Sequence, residues 1–379
     1  MITLMKKIFV AFGVTALFFS ACAQTPSTKL PKHTTQFKLA DYYSQNTELD
    51  EEIKRIYKSL DDTAIVAQLI MPAVGRYGQT DATIQSLIKS RVIGGVLMLN
   101  GTKDEFKQLI KKYEHMNDSV GNVPFLYSAD AEPSLVNNKI KGSTVVKKAN
   151  MITSEEEVTA VANTISKDLN QIGINYNFSP VVDMSSNSTV GYRGFGADPK
   201  NIVPWSNAFI SASQNHQILA TAKHFPGHGL VSGDTHKSLQ VIDGELKEIH
   251  NYPPLIENNV LSIMVAHIAV KNNPKYDTKG LPSTLSKEIV TDLLRDSLGF
   301  KGLIVTDAMN MGGVSSVQNN SVLAIAAGCD ILLMPVNAKK AHAEILAKYH
   351  SDETFKKQVQ QATLRVIRAK LCAGLLETK

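Results

Sequence analysis

The sequence predicts an α/β chain folded as a (β/α)8 barrel of the TIM type. Three observations predict it. Short apolar runs alternate with helical patterns, eight such runs can be found, and ionisable residues stand at the C-terminal ends of several of them. The runs cover 65–71, 93–99, 124–129, 176–182, 219–224, 262–268, 303–307 and 330–334. Helical spacing of apolar residues falls between them, at 83–91, 104–116, 155–172, 287–298 and 321–327. Parallel strands cannot be joined by tight turns, so each needs a crossover of this kind. A doubly wound open sheet would give the same alternation, and the count of eight favours the barrel.

A barrel makes a demand on the strand ends, because functional groups collect at the C-terminal face. Asp130 follows the third run and Asp183 the fourth. Lys223 and His224 close the fifth, His267 closes the sixth and Asp307 ends the seventh. Satisfied core groups account for one or two such positions. Five strands ending this way point to a shared polar pocket.

With 379 residues, 43% of them hydrophobic, the chain can bury a sizeable core. Its net charge of +5 is spread along the sequence, which argues against nucleic acid as a partner. Cys22, Cys329 and Cys372 lie too far apart for a disulfide framework or a zinc motif, so two of them read as buried apolar residues. At the N-terminus, Lys6 and Lys7 precede an apolar run over 8–19, then Ser20, Ala21 and Cys22. This is a secretory leader, too short to span a membrane, and the small residues before Cys22 resemble a lipoprotein signal with Cys22 as the lipidated first residue. Phe19 departs from the usual aliphatic residue, and a plain signal peptide is the simpler alternative. Residues 24–46 are polar and rich in Thr, Ser, Lys and Pro, as in a tether. The expected organisation is therefore a leader at 1–22, a tether at 23–46 and a single catalytic barrel domain at 47–379. The expected location is on the exported side of a membrane, held by the lipid alone.

The most specific segment is KHFPGHGLVSGDTH, from Lys223 to His236. Gly227, Gly229 and Gly233 allow it to fold back over the barrel mouth and bring Asp234 and His236 there. His224, His228 and His236 could suggest a metal site, but their spacing in an irregular loop matches no recognised ligand set. No metal and no cofactor are expected.

This segment resembles the signature of the β-N-acetylglucosaminidase branch of glycoside hydrolase family 3. So do NYNFSPVVDMSSN ending at Asn187, GYRGFGADP from Gly191 to Pro199, SIMVAHIAV around His267, VTDAMNMGGV around Asp307 and AGCDILLMP around Asp330. The likeness runs from about Leu60 to Leu376. It implies a barrel enzyme that hydrolyses terminal β-linked N-acetylglucosamine from oligosaccharides or cell-wall fragments, with retention and through a covalent intermediate. Taken alone, Asp307 reads equally as a strand-end helix cap; the resemblance makes it the nucleophile. It makes His236 the general acid/base and Asp234 its orienting partner, in place of the usual second carboxylate. Asp130, Arg193, Lys223, His224 and His267 would contact the sugar, although a buried structural histidine explains His267 nearly as well.

One segment departs from the pattern. Many relatives read Asp-Gln-Glu-Gly-Gly-x-Val-x-Arg after the third strand, where this chain reads DAEPSLVNN from Asp130 to Asn138. Asp130 and Glu132 are kept, the paired glycines become Pro133 and Ser134, and Asn138 stands at the arginine position. Three other readings stay open from sequence: a related β-glucosidase, a glycoside phosphorylase using the same residues with a different acceptor, and a surface sugar-binding barrel without catalysis.

Overall fold

The computed structural model describes residues 37–184, 187 and 190–376. Cys22, the leader and residues 23–36 of the tether lie outside them. At the centre is a curled parallel sheet. Its first strand, β1, comes in two pieces, Ile70–Met71 and Ala73–Val74, either side of Pro72. The others are β2 (Gly95–Met98), β3 (Leu126–Ala129), β4 (Tyr176–Asn177), β5 (Leu219–Phe225), β6 (Ser262–Val265), β7 (Leu303–Thr306) and β8 (Leu332–Leu333). Each pairs in parallel with the next, from Ala73 on Leu97 to Val265 on Thr306. A bridge between Val305 and Ile331 leads on to β8, and Leu332 and Leu333 pair back to Ile70 and Met71. The pairings therefore return to the strand they started from.

These strands are buried along their whole length. That is why they read as continuous apolar runs: parallel strands covered on both faces have no solvent side on which to place polar residues. Several of the covering helices carry ordinary start and stop signals. The helix α1 is Thr47–Lys58, α2 is Asp62–Ala67, α3 is Asp81–Lys89 and α4 is Lys103–Ser119. Thr102 and Glu105 form a reciprocal capping box at the start of α4. The next helix, α5 (Glu155–Ile172), is capped by Ser154, carries Glu155, Glu156 and Glu157 where the helix dipole favours negative charge, and stops at Gly173 with φ +97°. Then come α6 (Pro199–Asn215), a π-helix over Glu288–Ser297, α7 (Asn320–Ala327), α8 (Ala338–Ser351) and α9 (Glu353–Cys372). Cys329 and Cys372 are buried free thiols, as expected.

Two expectations need correction. The run at 65–71 is not one strand, because Ile65 to Ala67 belong to α2. Asp61 accepts the Ala64 N–H at 2.7 Å and so starts a helix in which Ile65 and Val66 are buried. A short apolar run does not distinguish a buried strand from a buried helix turn, and here the cap decides. The tether also stops short of residue 46. Phe37, Leu39 and Tyr42 are buried in the cluster that includes Leu261, Leu303 and Ile331. Tyr43 donates its hydroxyl to the Val260 carbonyl at 2.6 Å. Arg368 donates to the carbonyls of Tyr42 and Ser44 and pairs with Asp50.

The same end of the sheet holds a buried cation. Lys370 is fully buried, and its ammonium donates to Gln68 Oε1 (2.6 Å) and the Gly94 carbonyl (2.9 Å), both neutral acceptors. Burial lowers its pKa to about 7. A folded value below the unfolded one means that the unfolded chain binds the extra proton between the two, so stability rises with pH across that window. Stability of the native protein relative to Lys370→Met should increase by roughly 1.4 kcal/mol per unit from about pH 7 toward about pH 10, measured by urea denaturation. A pH-independent difference would show that Lys370 stays charged.

Candidate active site

The C-terminal ends of the strands open into a pocket of about 510 Å³ lined by Asp130, Lys139, Arg193, Lys223, His224, His236 and Asp307, and also by Tyr77, Asn310 and Met334. Lys223, near the end of β5, is only 1% exposed. Its ammonium lies 2.9 Å from Asp130 Oδ1 and 2.6 Å from Glu132 Oε1. Glu132 also receives Arg193 through two bonds, Nε to Oε2 at 2.8 Å and Nη2 to Oε1 at 2.6 Å. Lys139 reaches Asp130 Oδ2 at 2.7 Å. Burial pushes the Glu132 carboxyl upward, but Arg193 and Lys223 outweigh it and hold it at about 2. For Asp130 burial is likewise overcome, by Lys139 and Lys223, leaving it well below the usual carboxylate range. Both are ionised, and three cations share two carboxylates. Such a wall offers charged donors to neutral hydroxyls.

His224 follows Lys223 across a cis peptide bond. Asp183 accepts from the His224 backbone N–H at 3.1 Å and lies 2.6 Å from its Nδ1. Burial raises the Asp183 carboxyl, yet His224 and His228 bring it to about 2, so it is the acceptor and Nδ1 carries the proton. That leaves Nε2 for the pocket. The loop beyond is fastened by Glu248, which accepts the backbone N–H groups of Met184 (2.6 Å), Gly229 (3.2 Å) and Leu230 (3.2 Å). A side chain at position 229 would place its Cβ 1.8 Å from the Met184 carbonyl oxygen, so only glycine allows this approach.

The fastened loop delivers the Asp-x-His pair. Asp234 Oδ1 is 2.8 Å from His236 Nδ1 and also accepts the His236 backbone N–H at 2.9 Å. The backbone around His236 is held from the β7 side: Gly312 donates to the His236 carbonyl at 3.0 Å and Gly313 to that of Thr235 at 3.2 Å. The His236 side chain is 60% exposed at the pocket edge. Asp307 follows β7; its Oδ1 accepts the Ala308 N–H at 2.7 Å, leaving Oδ2 unused by that bond. Burial would raise its carboxyl, but His224, His267, the Ala308 N–H and His236 together keep it below the ordinary value, and it is ionised.

Of the residues expected from sequence, Asp130, Arg193, Lys223, His224, His236 and Asp307 line one pocket, with Asp234 behind His236. His267 does not line it, which corrects the expectation that it binds sugar. It is fully buried, with Nδ1 2.8 Å from the Thr284 hydroxyl and Nε2 3.0 Å from the Ala308 carbonyl, so both nitrogens are occupied. Three residues gain a place in the site only from the structure. Lys139 supplies a cation to Asp130 from one position after exposed Asn138. Asp183 was noted as a strand-end residue, and its bond to His224 gives it a role. Glu248 carries no local signal; it becomes legible only through the backbone it holds.

Residues 62–369 match the family model described as the glycosyl hydrolase family 3 N-terminal domain. The chain belongs to glycosyl hydrolase family 3. Among curated relatives it is 30% identical over 307 residues to a β-N-acetylglucosaminidase/β-glucosidase of Cellulomonas fimi, covering 75% of this chain and 53% of that one. It is also 30% identical over 288 residues to β-hexosaminidase A of Pseudoalteromonas piscicida, covering 67% and 47%. The chain thus spans about half the length of these two relatives. Among solved structures it resembles the family 3 β-N-acetylglucosaminidase of Paenibacillus sp. str. FPU-7 (TM-score 0.76, 26% identity, 84% of this chain and 63% of that one). The β-N-acetylhexosaminidase of Beutenbergia cavernae gives a TM-score of 0.74 at 26% identity, with 82% of this chain and 99% of that one covered.

Within this family 3 site, Glu132 is the residue on which Lys223 and Arg193 converge. Glu132→Gln should cost about 3 kcal/mol of folding stability, because two buried cations lose a carboxylate, as read by urea denaturation at neutral pH. A cost below about 1 kcal/mol would show that the cluster does not depend on it.

Proposed function

We propose that the chain is a retaining exo-β-N-acetylglucosaminidase whose (β/α)8 barrel forms a single catalytic domain. The observation that carries the reading is the pairing of an ionised Asp307 with His236 in one pocket, the imidazole bonded to Asp234 through Nδ1 and open at Nε2. Asp307 attacks the anomeric carbon through its free oxygen. The bond to the leaving oxygen breaks as His236 Nε2 donates its proton to that oxygen, and a glycosyl ester on Asp307 results. Water then attacks the same carbon from the opposite face. His236 takes the proton from that water, and the Asp307 carboxylate departs. Two inversions give net retention, and one histidine serves both halves. The wall of Asp130, Lys139, Arg193, Lys223 and His224 would hold the hydroxyls of the terminal sugar. The preference for a 2-acetamido sugar is supported by the names of the relatives. The segment preceding the barrel supports export and anchoring through Cys22; fractionation of Cys22→Ala, which should leave the membrane, tests that part.

Leaving-group dependence tests the acid/base role. His236→Ala should slow hydrolysis of N,N′-diacetylchitobiose by roughly 10²–10⁴-fold, while glycosylation by an aryl substrate with a very acidic phenol is affected much less. Azide should then restore turnover of the aryl substrate and yield a β-glycosyl azide. Equal losses with both substrates, or no azide product where deglycosylation limits, would move the role away from His236.

A further inference from the structure

The pocket continues past the charged wall. A second hollow of about 230 Å³ shares Tyr77, Asn310 and Met334 with it and adds Pro335 and Val336. In the ring of strands, the loops after β1, β7 and β8 that form this hollow lie across from β3 and β5, which carry Asp130, Lys223 and His224. The two compartments differ in charge: the first is lined by ion-paired side chains, whereas the second carries none of these and mixes the Tyr77 ring, the Met334 thioether, Pro335 and Val336 with Gln79 and the Asn310 amide, which stands at the junction.

Three features show a built surface. Tyr77 is 63% exposed and Val336 60%, although both are apolar side chains that water disfavours. The turn that presents Tyr77 is pinned on both sides: Arg76 N–H donates to the Asn100 carbonyl at 3.1 Å and Gln79 N–H to that of Ala73 at 2.7 Å. Arg76 lies over one face of the Tyr77 ring, its guanidinium carbon 5.2 Å from the centroid, and lines neither hollow. Met334, which lines both hollows, is held at φ +49°, a conformation that disfavours a non-glycine residue and is found where surrounding structure enforces it, often at ligand clamps.

We propose that this shelf is the subsite for the ring beyond the scissile bond, and that it takes a second pyranose whose apolar face stacks on Tyr77. The proposal rests on the reading of Asp307 and His236 above. With the terminal sugar's hydroxyls on the charged wall and Asp307 beneath its anomeric carbon, the leaving oxygen lies at His236, which is docked on Gly312 of the β7 loop. The chain beyond that oxygen then runs over the loops of β7, β8 and β1. A pyranose suits a shelf of this kind, since it offers a patch of C–H groups to an aromatic ring and hydroxyls at its edge to an amide.

The test compares kcat/KM for N,N′-diacetylchitobiose with that for methyl β-N-acetylglucosaminide, whose leaving oxygen carries no ring. Tyr77→Ala should reduce the disaccharide value by roughly threefold to tenfold more than the methyl glycoside value. Tyr77→Trp, which keeps an aromatic platform, should retain most of the disaccharide preference. Equal changes for both substrates, with the wild type active on both, would overturn the shelf and leave the reading of the site intact. A wild type inert towards both would overturn that reading and the shelf with it.

Discussion

A lysine that keeps its charge when buried at the strand ends needs carboxylates beside it, and the charged half of the site depends on that requirement. Lys223 cannot keep its charge out of water without Asp130 and Glu132. Those two carboxylates stand just after β3, so the lysine on β5 ties two strand ends together across β4. Glu132 in turn takes Arg193, and Asp130 takes Lys139. The result is a rigid wall in which the donors are already aimed and already desolvated. On the proposed reading, little has to be reorganised when a sugar replaces water there.

The groups proposed to react are arranged by a second, separate set of bonds. Asp183 fixes the tautomer of His224, Glu248 fastens the glycine-rich loop, and Gly312 and Gly313 receive that loop on the β7 side. Asp307 is kept ionised against burial mainly by the histidines around it. In the proposed roles a nucleophile needs its charge and an acid/base group needs access to water, and the two demands are met differently. Asp307 sits at the end of a buried strand, whereas His236 stands half-open on a docked loop.

Much of this was legible in the sequence because strand ends and glycine-rich loops have local signatures. Asp130, Lys223, His224 and Asp307 could be placed at one face by counting runs, before any likeness was considered. The rest depends on contacts remote in sequence. His267 closes a strand as the others do, yet its two nitrogens are taken by Thr284 and Ala308, partners that no spacing rule reveals. Lys139 lies beside Asn138, where comparison with the family pattern left no cation, and its long flexible side chain reaches Asp130 in a way that no local pattern marks. Phe37, Leu39 and Tyr42 were hidden by the polar average of their surroundings, although each anchors the segment on the barrel floor. Ile65 and Val66 show the opposite error, an apolar run whose conformation is set by the capping Asp61 upstream.

The central claim is that Asp307 becomes covalently glycosylated. The direct measurement is mass spectrometry of the protein after reaction with a 5-fluorinated N-acetylglucosaminyl substrate, which slows release of the intermediate, followed by peptide mapping. The account predicts one added glycosyl group, carried by the peptide containing Asp307 and absent from Asp307→Ala. A label on a different carboxylate, or turnover that survives the loss of Asp307, would contradict it.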